Sequence, residues 1–193
     1  MRIGLIADTH IPEARAELWP QAYEAFHGVD AILHAGDIYD HAVIDQLQDI
    51  APTYACRGNG DDGSGGRPLQ GDHHRLQPIW TIELGGLQIG LLHDLPIPES
   101  PPHMTVSRWL TRHFHEEFRP DVLVYGDSHV EAIDLIDGIL CVNPGSPTYP
   151  HNLNVQLGTI GFLDINDGNA VASIHRLTED SYEPFDWSTW RRR

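Results

Sequence analysis

The sequence predicts an α/β protein in which buried strands are packed in layers with helices outside them. Three observations carry that reading. Near-continuous apolar runs of strand length recur along the chain, capped or amphipathic helical segments lie between them, and polar residues able to bind metal follow the ends of the runs. Residues 2–7 form the first run, apolar after Arg2, as expected of a strand covered on both faces. Residues 31–35, Thr53–Cys56, 122–125 and 139–142 repeat it.

Helical segments fill the gaps. Residues 20–27 begin with Pro20, which suits a first helical position, and end before Gly28, a favoured residue just past a helix. Asp40 is placed to cap a helix over 41–49, with Val43, Ile44 and Leu47 on its inner face. Val106, Leu110, Phe114 and Phe118 recur every four residues before Pro120 and predict an amphipathic helix. Residues 79–84 and 87–92 flank Gly85 and Gly86, and 159–165 and 170–177 flank the turn at 166–169, so each pair reads as a hairpin. The stretch 61–77, rich in Gly, Asp and His, is the one long irregular loop, a kind that is usually functional or mobile. With no repeat and no linker, the expectation is one domain over 1–193, with that loop and a C-terminal extension at 178–193.

Twelve Lys plus Arg against 28 Asp plus Glu give a formal charge of −16. A field of that sign repels polyanions and excludes general binding of nucleic acid or anionic membranes. It leaves open the hydrolysis of a small phosphate ester at a metal site, because bound cations supply local positive charge. Cys56 and Cys141 sit in apolar runs and read as buried, reduced thiols. The apolar start stops at Asp8, too short for a signal-peptide core, and no run approaches the roughly 20 apolar residues of a membrane span. A cytoplasmic location is expected.

One regularity carries chemistry. Asp8 and His10 follow the first run, Asp37 the second and Asn59 the third, His93 closes the first hairpin, and Asp127 and His129 follow the 122–125 run. In open α/β sheets, ligands sit beyond the carboxyl ends of the strands, so residues remote in sequence can meet there. A lone Asp or His after a strand is more often a turn former or a helix cap. Seven of them at five strand ends are hard to explain that way. Carboxylate, imidazole and amide donors together suit Mn²⁺, Fe²⁺, Zn²⁺, Co²⁺ or Ni²⁺, and two such ions ~3.5–4 Å apart can clamp a phosphoryl group. Arg57, one of few cations near this set, is a candidate phosphate contact through a charge-assisted bond; a structural ion pair with one of the many acids is the other reading.

Asp8-Thr9-His10, Gly36-Asp37, Gly58-Asn59-Gly60-Asp61, Leu92-His93, Gly126-Asp127-Ser128-His129 and Asn143-Pro144-Gly145 stand in this order. The series resembles that of the calcineurin-like metallophosphoesterases, and most closely their small bacterial and archaeal phosphodiesterase branch, which includes the small retromer subunit of eukaryotes. The resemblance covers residues 1–177. It implies a four-layer α/β/β/α sandwich of two mixed sheets flanked by helices, and a dinuclear centre. Asp8, His10 and His129 would hold one ion, Asn59, His93 and Asp127 the other, and Asp37 both. Asn59 and Arg57 would also contact substrate. A hydroxide bridging the ions would attack phosphorus, with Asp37, Asn59, His93 and Arg57 carrying the chemistry.

The sequence departs from the family pattern at three places. Asp127 stands where His is usual, giving three carboxylates, which favours a harder ion such as Mn²⁺, with Ni²⁺, Fe²⁺, Zn²⁺, Co²⁺ and Mg²⁺ as the other candidates. Gly60 replaces a residue that in many relatives is a His able to protonate the leaving group, so Asp61, His73 and His74 become candidates for that role beside their plain reading as solvated loop residues. Asp94 replaces a usual Gly. His34 and His41 read as packing histidines. The expected function is hydrolysis of a small phosphate ester, with phosphodiesters favoured by resemblance. Phosphomonoesters, a metal hydrolase of non-phosphate esters, and a non-catalytic scaffold for a protein partner are the alternatives. Relatives often form dimers, which leaves a homodimer open.

Overall fold

The structure, a computed structural model, describes residues 1–96, 105–152, 155 and 157–189. Two mixed sheets are stacked face to face. The first contains β1 (Arg2–Ile6), β2 (Ala31–His34), β3 (Thr53–Cys56), β4 (Leu76–Gln77), β10 (Thr159–Asn166), β11 (Asn169–Leu177) and β12 (Tyr182–Pro184). Its order is β12-β11-β10-β1-β2-β3-β4. The second contains β5 (Trp80–Leu84), β6 (Leu87–Leu91), β7 (Val122–Val124), β8 (Ala132–Ile136) and β9 (Ile139–Asn143), in the order β5-β6-β7-β9-β8.

Side-chain alternation along β1 explains the layering. Ile3 and Leu5 face the second sheet, where they join Leu33, Ile89, Leu91, Val122, Val124 and Val142. Ile6 faces the other way, into a core with Phe26, Ile32, Val43, Ile44 and Leu47, the last three from α2 (His41–Gln48). Both faces of the strand are covered, which is why its sequence is continuously apolar. A third cluster, with Leu123, Tyr125 and Cys141, packs the outer face of the second sheet against Val106 and Phe114. The layers therefore run α1 (Pro20–Ala25) with α2, first sheet, second sheet, α3 (Val106–His113).

Local signals act as the sequence indicates. Asp40 accepts a hydrogen bond from the Ala42 amide at 2.9 Å and caps α2, while Pro20 opens α1. Helix α3 is shorter than its four-residue spacing predicts. Phe114 is already extended (φ −115°, ψ 161°), and Phe118 returns through a turn closed by its amide on the His115 carbonyl. The two rings still stack at 4.9 Å, so the apolar spacing reports a contact that the chain makes without a continuous helix. Strand β8 was not expected; it pairs antiparallel with β9 from Ala132↔Asn143 to Ile136↔Ile139. The short β4 and β12 were also unexpected, and the former lies inside the 61–77 loop. Cys56 and Cys141 are free and buried. No helix among the described residues is long and apolar enough to cross a membrane. Of the expected C-terminal extension, Thr178–Ser188 can be described side chain and all, while residues 190–193 lie outside the described residues.

Parallel pairing decides where chemistry can gather. Strands β1, β2 and β3 are mutually parallel, as are β6, β7 and β9, so their carboxyl ends form two facing rims. The turns Gly85–Gly86, Asp137–Gly138 and Asp167–Gly168 lie at the opposite end.

Gly4, in the middle of β1, leaves room for the Phe26 ring; a Cβ there would lie 2.5 Å from Phe26 Cδ1. The Gly4→Ala variant is expected to lose about 1–3 kcal/mol through overpacking, seen as a lower urea midpoint at unchanged m-value.

Candidate metal centre

The seven polar residues at the strand ends converge where the two rims meet. Asp8, fully buried, follows β1, and its amide donates to the Gly36 carbonyl at 2.9 Å, so the turn after β1 is laced to the turn after β2. The His10 amide extends the lacing to the Asp37 carbonyl at 2.9 Å. Asp8, His10, Asp37, Asp127 and His129 all have φ between 46° and 67°. Non-glycine residues avoid this left-handed region at a cost of ~1–3 kcal/mol each, and such strain gathers at functional sites. Here it turns each side chain inward at the point where its strand stops.

Two groups of ligating atoms result, Asp8 with His10 and His129, and Asp8 with Asp37 and His93, each within 4.8 Å of one another. Asp37 faces both sides. Its Oδ2 lies 3.4 Å from His10 Nε2, and its Oδ1 lies 3.5 Å from His93 Nε2. His93 Nε2 is also 3.3 Å from Asn59 Oδ1 and 3.6 Å from Asp127 Oδ1, while His129 Nε2 lies 3.7 Å from Asp8 Oδ1. All seven candidates are thus in one place.

The imidazoles are aimed by their far nitrogens. His93 Nδ1 pairs with the Ala35 carbonyl and His129 Nδ1 with the Tyr149 carbonyl, both at 2.7 Å, leaving each Nε2 pointed at the carboxylates. Such outer bonds fix tautomer and ring orientation in metal sites. Asp8 Oδ2 and His10 Nε2 are buried with no hydrogen-bond partner. Buried polar atoms are rarely left so, and a divalent cation would satisfy both. The residues fit such an ion.

Electrostatics agrees. Burial pushes the Asp8 carboxyl well above the ordinary carboxylate range, an effect offset by His93 and reinforced by Asp37. Burial likewise raises Asp37. Burial lowers His10 to about 3, helped by His129, and lowers His129 as well. For His93 the Asp8 and Asp37 carboxylates outweigh its burial and raise it. Carboxylates that resist ionising together, with neutral imidazoles at His10 and His129, are the state a dication reverses and exploits.

A match to the calcineurin-like phosphoesterase superfamily domain spans residues 1–168. The chain belongs to that superfamily. A probable metallophosphoesterase of Methanocaldococcus jannaschii is 34% identical over 151 residues, 78% of this chain and 70% of that protein. One of Methanothermobacter thermautotrophicus is 32% identical over 150 residues, 78% of this chain and 79% of its own length. A phosphodiesterase of M. jannaschii is 23% identical over 173 residues, covering 85% and 93%. Among solved structures, Vps29 of Entamoeba histolytica superposes with a TM-score of 0.71 at 20% identity, covering 96% and 97% of the two chains. An archaeal phosphodiesterase gives 0.60 at 22%, covering 90% and 99%. These likenesses establish a shared fold.

Against the superfamily's frame, several residues near the motifs take up structural work. Asp61 accepts from the Ile38, Tyr39 and Gly58 amides at 2.9–3.1 Å and clamps two turns together, so it is not placed as a proton donor. His73 pairs with Asp45 on α2 at 3.2 Å, with His74 tilted against it at 4.6 Å, away from the convergence of the seven. Arg57 lines a cavity of about 340 Å³ with Asn59, His93 and Asp127, but its Nη atoms donate at 2.9 Å to the Gln70 and Gly71 carbonyls. Its guanidinium holds the 61–77 loop, while the residue lines the cavity. His34 and His41 are packing residues, His34 against Thr9 Oγ1 at 3.1 Å and His41 beside His73.

Tyr39 was not foreseen as part of the site, and the Asn143-Pro144-Gly145 motif stood in the series without a role of its own. A Cβ on residue 60 would collide with the Tyr39 ring, which packs edge-on to His10 at 4.5 Å beneath the Arg67 guanidinium. Gly60 is thus the residue that admits Tyr39. The sequence signal was the glycine itself. Asn143 donates to the Gly126 carbonyl at 2.7 Å, and Ser146 Oγ and Thr148 Oγ1 donate to the Asp8 and Thr9 carbonyls at 2.7 and 2.6 Å. This turn stitches the end of β9 to the ends of β1 and β7.

Two outcomes follow. The Asp8→Asn substitution removes a buried charge with an unpartnered oxygen, so metal-free protein should melt higher than wild type. The same change should abolish the Mn²⁺-induced rise, worth about 2.7 kcal/mol at a hundredfold excess over Kd; calorimetry with and without Mn²⁺ reads both. Burial holds His34 at about 3, below its unfolded value of 6.5. The unfolded chain then binds a proton that the folded chain refuses, so stability falls as pH drops from 6.5 toward 3. In His34→Gln that slope should be shallower by up to about 1.4 kcal/mol per pH unit, measured by urea unfolding across pH 4–7.

Proposed function

We propose that this chain is a two-metal phosphodiesterase, with Asp8, His10 and His129 holding one ion, Asn59, His93 and Asp127 the other, and Asp37 shared. The observation that carries the proposal is Asp37, whose two oxygens each face a different imidazole across the site. When bound, two divalent ions supply Lewis acidity toward phosphate oxygens and lower the pKa of a bound water. The carboxylate-rich donor set favours Mn²⁺.

The chain's own residues orient the rest. Asn59, a neutral donor, leaves the ion beside it strongly electrophilic, and its amide reaches the same cavity as Arg57. The Ala35 carbonyl keeps the His93 proton on Nδ1, so Nε2 stays a lone-pair donor. With Gly60 lacking a side chain and Asp61 and His73 engaged elsewhere, substrates whose leaving group departs without a donated proton are favoured.

Asp127 supports a diester over a monoester. Two dications set against Asp8, Asp37, Asp127 and a bound hydroxide leave no net charge, so a dianionic monoester brings one more uncompensated negative charge to the site than a monoanionic diester. The likeness to two phosphodiesterases points the same way. The scaffold alternative draws on the Vps29 fold, but a scaffold has no need of seven converging ligand positions, five of them in the left-handed region.

The Asp37→Asn variant, loaded with Mn²⁺, should lose at least about 100-fold in kcat/KM on bis(p-nitrophenyl) phosphate while its circular dichroism is unchanged. Near-wild-type turnover would refute the shared-ligand role. In Asp127→His the ratio of p-nitrophenyl phosphate to bis(p-nitrophenyl) phosphate turnover should rise, by roughly three- to tenfold for removal of one nearby charge. An unchanged ratio would remove the charge argument for diesters.

A further inference from the structure

On the far side of Asp127 from Arg57 lies a second recess, about 480 Å³ in volume, lined by Asp127, Ser128, His129, Tyr149, Pro150 and His151. Asp127 borders both recesses, so the metal centre sits between them. They differ in chemistry. The first carries Asp62, Asp94 and Asp127 against Arg57, which repels any second anionic group on a substrate. The second is walled largely by a phenol ring and a pyrrolidine.

Tyr149 is 62% exposed. Its main chain, however, is among the best-anchored near the site. The Tyr149 amide donates to Ser146 Oγ at 2.8 Å, and the Tyr149 carbonyl accepts from His129 Nδ1 at 2.7 Å. The ring stands edge-on to His129 at 5.3 Å and to His10 at 5.8 Å. The bond that aims a metal-binding imidazole therefore also fixes the height of an exposed aromatic face beside it. An aromatic ring left in water on an anchored main chain is prepared to stack on a planar group.

We propose that the Tyr149–Pro150–His151 shelf takes an aromatic or heteroaromatic group of the phosphodiester substrate, stacked on Tyr149 while the phosphate lies at the ions. Tyr149 is then a specificity residue: it selects the organic group and leaves the metal centre alone. The other arm of the diester is uncharged or cationic, because it meets the acid-lined recess. This inference rests on the two-metal reading of the site.

Calorimetric titration of the Mn²⁺-loaded full chain with two non-hydrolysable monoanions that carry no ester bond, methylphenylphosphinate and dimethylphosphinate, tests it. The wild type should bind the phenyl compound roughly tenfold more tightly. Tyr149→Phe should retain that preference. Tyr149→Ala should lose it, read as the ratio of the two affinities within the same Mn²⁺-loaded variant. Equal affinities in the wild type, or a preference that survives in Tyr149→Ala, would overturn the shelf while Mn²⁺-dependent diester hydrolysis stood. Failure of both compounds to bind, together with no Mn²⁺-dependent hydrolysis, would bring down the two-metal reading and the shelf with it.

Discussion

The carboxylate of Asp8 is the group on which the rest of the site depends. It lies fully buried between two sheets, with one oxygen bonded to the Asp127 amide at 3.2 Å and the other left without a partner. A lone ionised carboxylate in such a place is expensive. Around it the chain has placed not lysine or arginine but three imidazoles and further acids. That arrangement makes little sense as an ion pair and good sense as an incomplete coordination shell. The left-handed residues at the strand ends, the amide lacing between turns and the outer hydrogen bonds of His93 and His129 all serve to hold side chains against this one charge.

The sheets explain how residues 8 to 129 meet. Each rim is made by parallel strands, and parallel strands end together. The second rim is pinned to the first through the Ser146 and Thr148 hydroxyls on the carbonyls of residues 8 and 9, and through His93 on the Ala35 carbonyl. Packing and site are therefore one construction: the core between the sheets sets their separation, and that separation sets the reach of the ligands.

Much of this was legible in the sequence, because buried strands read as continuous apolar runs and each candidate ligand stands within a few residues of the end of one. What escaped has identifiable causes. Strand β8 is an edge strand whose Leu135 is largely exposed, and its pattern lacks a buried run. The end of α3 escaped because Phe118 keeps its stacking contact from a turn, so the spacing persists where the helix does not. Asp61 looked available for proton transfer since nothing local shows that the Ile38 and Tyr39 amides of a distant turn join the nearby Gly58 amide on it. Tyr39 was invisible for the complementary reason: its place in the site is defined by the side chain that residue 60 lacks. Arg57 combines both readings that the sequence left open, since it lines the cavity while holding the loop.

The distribution of the tight turns has a wider consequence. Gly85–Gly86, Asp137–Gly138 and Asp167–Gly168 sit at the pole opposite the ligands, each joining strands whose other ends are fixed. A hairpin lengthened at that pole would leave the donor atoms at the other pole where they are, so insertions should be tolerated there. The molecule keeps the turns that can grow and the side chains that must meet at opposite poles.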